Sequence, residues 1–325
     1  MRKGGTEEEI LSLLRTSGEK YLSGEALSKK FKVSRTAIWK HIHSLIDQGY
    51  VFESHTNLGY RLLTAPDLLL PAEIEHALST KYIGRELYCF NEIGSTNDMA
   101  ARLTEKEVPE GTVVTAEKQT AGKGRLGRTW ISPEKTGLWF SVILRPKISP
   151  YHSPKLTFIA GLAVHDAVKK VTGEDPELKW PNDVLLNGKK ICGILTEMKA
   201  EMDAVNYLII GIGINVNLSK NDLPESVRAR ATSLKIELQK EVSRVKLLAE
   251  VLKCLEEYYD LFKQEGPEPI IRKWKRKCAT LGKKVRIQSG SEVIEGVAED
   301  IDADCSLLIR LADGTVKKAV TGDVN

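Results

Sequence analysis

Cysteine is sparse and scattered in these 325 residues: Cys89, Cys192, Cys254, Cys278 and Cys305 lie far apart, and no C-x-x-C pair occurs. An odd, dispersed set excludes a disulfide framework and a cysteine zinc site, and it suits reduced thiols. Histidine is equally thin. His41 and His43 stand two apart, so on a helix they point in different directions, and no structural metal is expected. No apolar run approaches the roughly 20 residues that span a bilayer. The opening stretch, MRKGGTEEE, turns acidic before an apolar signal core forms. The expectation is a cytoplasmic protein without a membrane partner. Internal repeats and low-complexity tracts are also missing. Net charge is only +4, so whole-chain charge says little about partners. Its distribution says more: Arg272 to Arg286 holds eight Lys or Arg and no acid. Such a run is either a solvated face or a contact for an acidic partner.

What is present argues for a multidomain globular chain, since 325 residues exceed one ordinary core. Residues 1–64 read as a winged helix-turn-helix. Thr6 and Glu9 form a capping-box pair ahead of Ile10, Leu13 and Leu14, and Gly18 ends that helix. Ser23 caps a second helix and Ser34 a third, which Gly49 terminates. On the third helix Ala37, Ile38, Ile42 and Leu45 share one side, while Arg35, Thr36, Trp39, Lys40 and His43 share the other. YVFESHTNLGYRLL then reads as a two-stranded wing. An exposed arc of Arg, Thr, Lys and His suits phosphates and base edges, so Ser34, Arg35, Thr36, Trp39, Lys40 and His43 are the candidate DNA-binding residues. An ordinary three-helix domain with a polar outer face is the alternative.

Residues 65–84 read as a linker passing into a short helix begun by Pro71. From 85 to 270 strands and helices mix. ELYCF, GTVVTAEKQ, GLWFSVILRP, ELKW and NYLIIGIGINVN read as strands, and STNDMAARLTE and SPKLTFIAGLAVHDAVKKV as helices. Asn187-Gly188 joins the two halves of VLLNGKKICGILTEM as a hairpin. A charged helix, EVSRVKLLAEVLKCLEEYYDLFKQ, follows, and residues 271–325 read as a small β-barrel.

The segment TAGKGRLGRTW, Thr120 to Trp130, carries three glycines, three cations and an indole, with no acid. It fits neither the P-loop pattern nor a dinucleotide-binding turn, because the required Ser or Thr is missing and a strand follows. What remains is a flexible backbone able to approach a ligand, with Lys123, Arg125 and Arg128 placed to neutralise an anion. A mobile surface loop is the plainer reading. In LKWPNDVLLNGKKICGIL, Lys179 ends a strand before Trp180-Pro181. It is either a snorkelling surface lysine or an ammonium that balances charge developing in acyl or phosphoryl transfer. GSTND offers a helix start with free N–H groups and hydroxyls.

STN, KQTAGKGRLGRTW, KWPND, GKKICGIL and GIGINVN, in this order, resemble the biotin protein ligases. With the winged helix ahead of them, nearly the whole chain resembles the bifunctional BirA-type biotin operon repressors, of the biotin–[acetyl-CoA-carboxylase] ligase family. The resemblance implies an α+β chain: a winged helix-turn-helix, a central mixed-sheet ligase domain of the biotin/lipoate type, and a small C-terminal SH3-like barrel. It implies activation of biotin by ATP and Mg2+ to biotinoyl-5'-AMP, then transfer to a lysine of a biotin acceptor domain. The intermediate would serve as corepressor for a homodimer on operator DNA.

By motif, Ser95, Thr96, Asn97 and Gln119 would line the biotin pocket, and Lys123, Gly124 and Arg125 would form a lid. Lys179 would bridge the biotin carboxyl and the phosphoryl oxygens, with Arg125 beside it as the second catalytic cation. Arg128, Trp130 and Asn215 would meet the adenylate, and Gly193 and Gly213 would allow close backbone approach. The family's loop has Arg where this chain has Lys123. Three alternatives stay open: a lipoate or octanoate ligase with a fused DNA-binding domain, a metabolite-sensing repressor without catalysis, and a ligase whose N-terminal domain does not bind DNA.

Overall fold

The computed structural model describes residues 5–201, 204–289 and 292–324. The chain divides between Leu68 and Leu69 into two compact units.

The first unit holds α1 (Thr6–Thr16), α2 (Gly24–Phe31), α3 (Arg35–Asp47) and the hairpin β1 (Val51–His55) and β2 (Gly59–Thr64). Ser23 and Ser34 cap α2 and α3, their hydroxyls accepting the N–H groups of Ala26 and Ala37 at 3.1 Å. The capping box expected at Thr6 and Glu9 does not form: Gly5 is the N-cap, makes no side-chain bond, and Thr6 is already helical. Glu7, Glu8 and Glu9 in the first turn complement the helix dipole instead. Ile10, Leu14, Leu27, Ile38 and Ile42 make the small core.

The second unit opens with α4 (Pro71–Ala77) and β3 (Leu87–Ile93). Next come α5 (Thr96–Thr104), β4 (Val113–Gln119), β5 (Leu138–Leu144) and α6 (Ser153–Thr172). β6 (Glu177–Lys179), β7 (Asp183–Leu186), β8 (Lys189–Glu201) and β9 (Ala204–Ile214) complete a seven-stranded mixed sheet, ordered β3-β4-β5-β9-β8-β7-β6. Asn187 and Gly188, both with positive φ, form the β7–β8 turn that Asn-Gly selects. Two short helices, α7 (Glu225–Arg228) and α8 (Leu234–Leu238), precede α9 (Arg244–Glu265) and α10 (Glu268–Arg276). The C-terminal strands β10 (Lys284–Ser289), β11 (Glu292–Ile301), β12 (Leu307–Arg310), β13 (Val316–Ala319) and β14 (Asp323–Val324) form one antiparallel sheet. α10 takes up the first part of the basic run, where only the terminal β-module was expected.

Side-chain alternation decides which face of the mixed sheet is core. On β9, Leu208, Ile210, Ile212 and Ile214 join the core built with α6 and α9. Ile209 belongs to a separate cluster on the opposite face, with Ala100 and Leu103 of α5. Continuing along that opposite face, β9 carries Gly211 and Gly213. The same core runs on into the C-terminal sheet, through Trp180, Trp274 and Cys305 to Ile287, Ile294 and Ile309. Trp180 Nε1 donates to the Cys305 carbonyl at 2.9 Å, and Phe158 stacks on Trp274 at 4.1 Å. The C-terminal sheet is therefore packed into the mixed sheet's core.

Arg244 at the start of α9 is buried against Glu117 of β4, with Nη1 to Oε2 at 2.5 Å. Glu117 also accepts the Leu69 N–H at 2.7 Å, which fixes the first residue of this unit. Removing one partner leaves a buried, unpaired charge, so Arg244→Met should lower stability by about 3–5 kcal/mol. Denaturant melts of Arg244→Met and of Arg244→Met/Glu117→Gln check this: a double variant no better than the single would contradict it.

Candidate active site

On the sheet face opposite α6 and α9 lies a cavity of about 1100 Å3, lined from α5, the 120–130 segment, β6 to β9 and the C-terminal sheet. Ser95, Thr96, Asn97, Gln119, Lys123, Gly124, Arg125, Arg128, Trp130, Lys179, Gly193, Gly213 and Asn215 all line it. Every ligand-site residue expected from the motifs is thus on one wall or another of a single cavity.

One end is a network of small polar groups. Ser95, Thr96 and Asn97 are buried at the start of α5. Gln119 Oε1 accepts the Thr96 N–H at 2.8 Å and its hydroxyl at 3.1 Å, while Gln119 Nε2 donates to Ser132 at 2.9 Å. Asn97 Nδ2 donates to Glu197 at 2.7 Å, and the Ser141 hydroxyl lies 2.6 Å from Asn97 Oδ1. A Cβ on Gly211 would fall 2.2 Å from Asn97 Oδ1, so the bare backbone there is what lets Asn97 approach the sheet. Ser132, Ser141 and Glu197 carried no motif signal and are legible only in three dimensions.

The lid is more ordered than a loose loop. Gln119 bridges Ser132 and Lys123 bridges Thr129, so the segment is a narrow hairpin closed by a 3-10 turn at Arg125–Gly127. Its cations already have partners. Lys123 pairs with Asp98, which raises its pKa above the ordinary lysine value. Arg125 donates to Asn182 Oδ1 and to the Thr321 hydroxyl, both at 2.8 Å, and Arg128 pairs with Asp323. Burial draws the Arg125 guanidinium below its usual range, and Asp323 and Asp183 oppose the shift. Thr321 and Asp323 belong to the C-terminal module, which thus holds the lid by both arginines.

Trp130 lies across the glycine shelf. A Cβ on Gly213 would meet its indole at 2.4 Å and one on Gly193 at 2.9 Å. The close approach expected of a ligand at these glycines is made by Trp130 itself. Its Nε1 is the atom nearest Gly213 and is buried there without a hydrogen-bond partner among the described residues. Lys190, absent from the residues expected from sequence, sits 5.1 Å from the Trp130 ring centroid and 2.6 Å from Asp183. Asn215 lines the cavity, and its side-chain amide donates to the Thr232 carbonyl at 2.9 Å. Lys179 differs from the lid cations: among the described residues its ammonium has no hydrogen-bond or ion-pair partner.

On α3, Arg35, Thr36, Trp39, Lys40 and His43 are all exposed, and Ile38, Ile42 and Leu45 are buried. Trp39 is 49% exposed and packs against the His43 ring at 3.8 Å between centroids. Ser34 is exposed too, its hydroxyl accepting the Ala37 N–H as the cap of α3.

A winged helix-turn-helix and a separate cavity pairing a polar pocket with a cationic lid define a DNA-binding, anion-handling class. Comparison with known proteins makes it specific. The HTH domain matches residues 6–61, the Biotin/lipoate A/B protein ligase family residues 89–215, and the Biotin protein ligase C terminal domain residues 280–325. The Bifunctional ligase/repressor BirA of Bacillus subtilis is 38% identical over 98% of this chain and 97% of its own length. Its Escherichia coli counterpart is 30% identical over 98% and 96%. Among solved structures, biotin protein ligase from Aquifex aeolicus in complex with biotin and ATP superposes with a TM-score of 0.66, at 35% identity, over 74% of this chain and 98% of that one. The chain belongs to the BirA-type bifunctional ligase/repressor family.

The shelf generates its own test. Gly213→Ala should force the Trp130 indole off the sheet. The Trp130 component of the emission, obtained by difference from Trp130→Phe, should then shift to the red; an unchanged component would contradict the packing.

Proposed function

We propose that this chain activates biotin with ATP to biotinoyl-AMP, transfers it to a lysine of a biotin acceptor domain, and represses transcription when that intermediate is bound. One observation carries the catalytic reading: the unpaired Lys179 ammonium shares a cavity with the Ser95–Gln119 pocket and the Arg125 lid. The biotin carboxylate attacks the α-phosphorus of ATP, the bond to the bridging oxygen breaks, and pyrophosphate leaves. That step brings two anions together, so preset positive charge lowers its barrier, by about 3–4 kcal/mol for each well-aimed group. Lys179, whose ammonium has no ion-pair partner among the described residues, bridges the carboxyl and phosphoryl oxygens. Arg125 clamps the phosphate from above.

In the second step the acceptor amine attacks the acyl carbon of the mixed anhydride and AMP departs. Closure of the lid keeps water from the anhydride until then. Arg128, the Trp130 indole and Asn215 meet the adenylate. The nucleotide would enter as its magnesium chelate, the ion neutralising phosphate charge. Of the acids lining the cavity, Asp183 and Asp323 already face cations, so Glu177 is the side chain that would be open to it. Among the described residues no cluster of three or more His, Cys, Asp or Glu side chains could bind it.

For repression, the exposed α3 arc reads operator DNA, and adenylate occupancy favours a homodimer that brings two α3 helices to two half-sites. Occupancy and dimerisation are then linked in free energy, each favouring the other. The whole reading places the protein in the cytoplasm.

Mass spectrometry of an acceptor domain after incubation with biotin and ATP tests the ligase reading: a mass gain matching one biotinoyl group is expected. Gain from octanoate or lipoate alone would replace it. Lys179→Ala should abolish labelling, and near-normal labelling would remove the central assignment. Arg125→Gly should release biotinoyl-AMP, seen by rapid filtration and by labelling of unrelated lysines. Footprinting with and without biotin and ATP tests repression: protection equal in both conditions would break the linkage.

A further inference from the structure

The basic run from Arg272 to Arg286 has two different environments. Lys275 pairs with Asp300 at 2.7 Å, Lys277 with Asp166 at 3.4 Å and Arg286 with Glu295 at 3.0 Å. Lys273 lies over the Tyr258 ring at 5.7 Å. Lys283 and Lys284, by contrast, line the active-site cavity, and among the described residues neither ammonium has an acid or hydrogen-bond partner. Arg272 and Arg276 are exposed on α10, so Lys283 and Lys284 are the cations of the run that line the cavity.

The place of these two lysines is fixed by the strand that carries Lys179. β6 is bridged on its outer side to the C-terminal chain: Leu178 N–H donates to the Lys277 carbonyl at 2.9 Å, and Ala279 N–H to the Leu178 carbonyl at 2.8 Å. The Thr280 hydroxyl accepts the Trp180 N–H at 3.1 Å. Lys283 and Lys284 follow just beyond, at the entry to β10, with the Lys283 N–H donating to the Thr280 carbonyl, and they line the same cavity as Lys179.

Resting on the ligase reading, we infer that Lys283 and Lys284 bind the β- and γ-phosphates of ATP and hold the pyrophosphate as it departs. Attacking and leaving oxygens lie roughly in line across the α-phosphorus. The carboxylate arrives from the pocket at Ser95, Asn97 and Gln119, so the leaving group must point away from α5. The C-terminal wall supplies unpaired cations for the charge that builds on it. Lys179 and Arg125 serve the oxygens that remain on the adenylate, whereas Lys283 and Lys284 serve those that leave.

That division makes a differential test. Calorimetry on the full chain compares biotinoyl-AMP, inorganic pyrophosphate and ATP for wild type, Lys283→Ala/Lys284→Ala and Lys283→Arg/Lys284→Arg. The alanine pair should lose on the order of ten-fold in affinity for pyrophosphate and ATP, as expected when charged hydrogen bonds are removed, and should keep its affinity for biotinoyl-AMP. The arginine pair should restore most of the loss. Equal affinities for pyrophosphate in all three proteins, or a parallel loss for biotinoyl-AMP, would overturn the assignment. Failure of the wild type to bind biotinoyl-AMP would instead overturn the ligase reading.

Discussion

The constraint on which the site depends is an excess of positive charge in an enclosed space. Eight Lys and Arg line the cavity against three acids. Such an excess is tolerable only if the lid cations are neutralised within the protein or an anion is brought in, because like charges disfavour one another most where water is scarce. Both solutions are present. Lys123, Arg128 and Lys190 have carboxylate partners at Asp98, Asp323 and Asp183, and Arg125 is held by neutral acceptors. Lys179, Arg230, Lys283 and Lys284 have no such partner among the described residues. The first group sets the lid, and the second waits for substrate. A nucleoside triphosphate meeting a carboxylic acid is the kind of anion this second group can neutralise without breaking the contacts of the first.

The sheet makes room for that chemistry by a simple alternation. In IIGIGI, one residue in two points into the core with α6 and α9 and must be large and apolar. The intervening positions face the other side, where Ile209 packs with α5 and Gly211 and Gly213 line the cavity. Gly211 admits Asn97, and Gly213 with its cross-strand partner Gly193 admits Trp130. A side chain at either shelf position would push the indole outward and shrink the space between lid and sheet. The strand thus does two jobs at a period of two, and its sequence reads as an apolar run interrupted by glycines for that reason.

The motif order was legible in the sequence, as were the caps at Ser23 and Ser34, the Asn187-Gly188 turn and the exposed arc of α3. Local signals of these kinds act within a few residues, where spacing alone carries the geometry. The hold of the C-terminal module on the lid was not legible. Arg125 meets Thr321 across 196 residues, and a polar contact at such a separation leaves no periodic trace. Helix α10 was hidden differently. Ile270, Ile271 and Trp274 are buried at helical spacing, but the surrounding lysines and arginines read as a solvated run. The absence of a capping box at Thr6 has the same local origin as the correct caps: Gly5 took the position one residue earlier. Lys190 was passed over because its neighbour Lys189 is exposed and one lysine of a pair looks much like the other until a strand assigns their faces.

The substitution of Lys123 for the arginine usual in the family's loop follows from the lid's geometry. Position 123 sits in the hairpin arm, bridged to Thr129, and Gly124 N–H donates to the Arg128 carbonyl at 2.7 Å. The backbone there is already committed to the hairpin. The side chain runs to Asp98 at the first turn of α5, where a compact ammonium serves as well as a guanidinium, since a single carboxylate oxygen is its target. A planar, two-pronged donor matters where two acceptors must be held at once, and that is the case at Arg125, which reaches Asn182 and Thr321 together. The chain therefore keeps arginine where the geometry requires a fork, and replaces it where a point charge suffices.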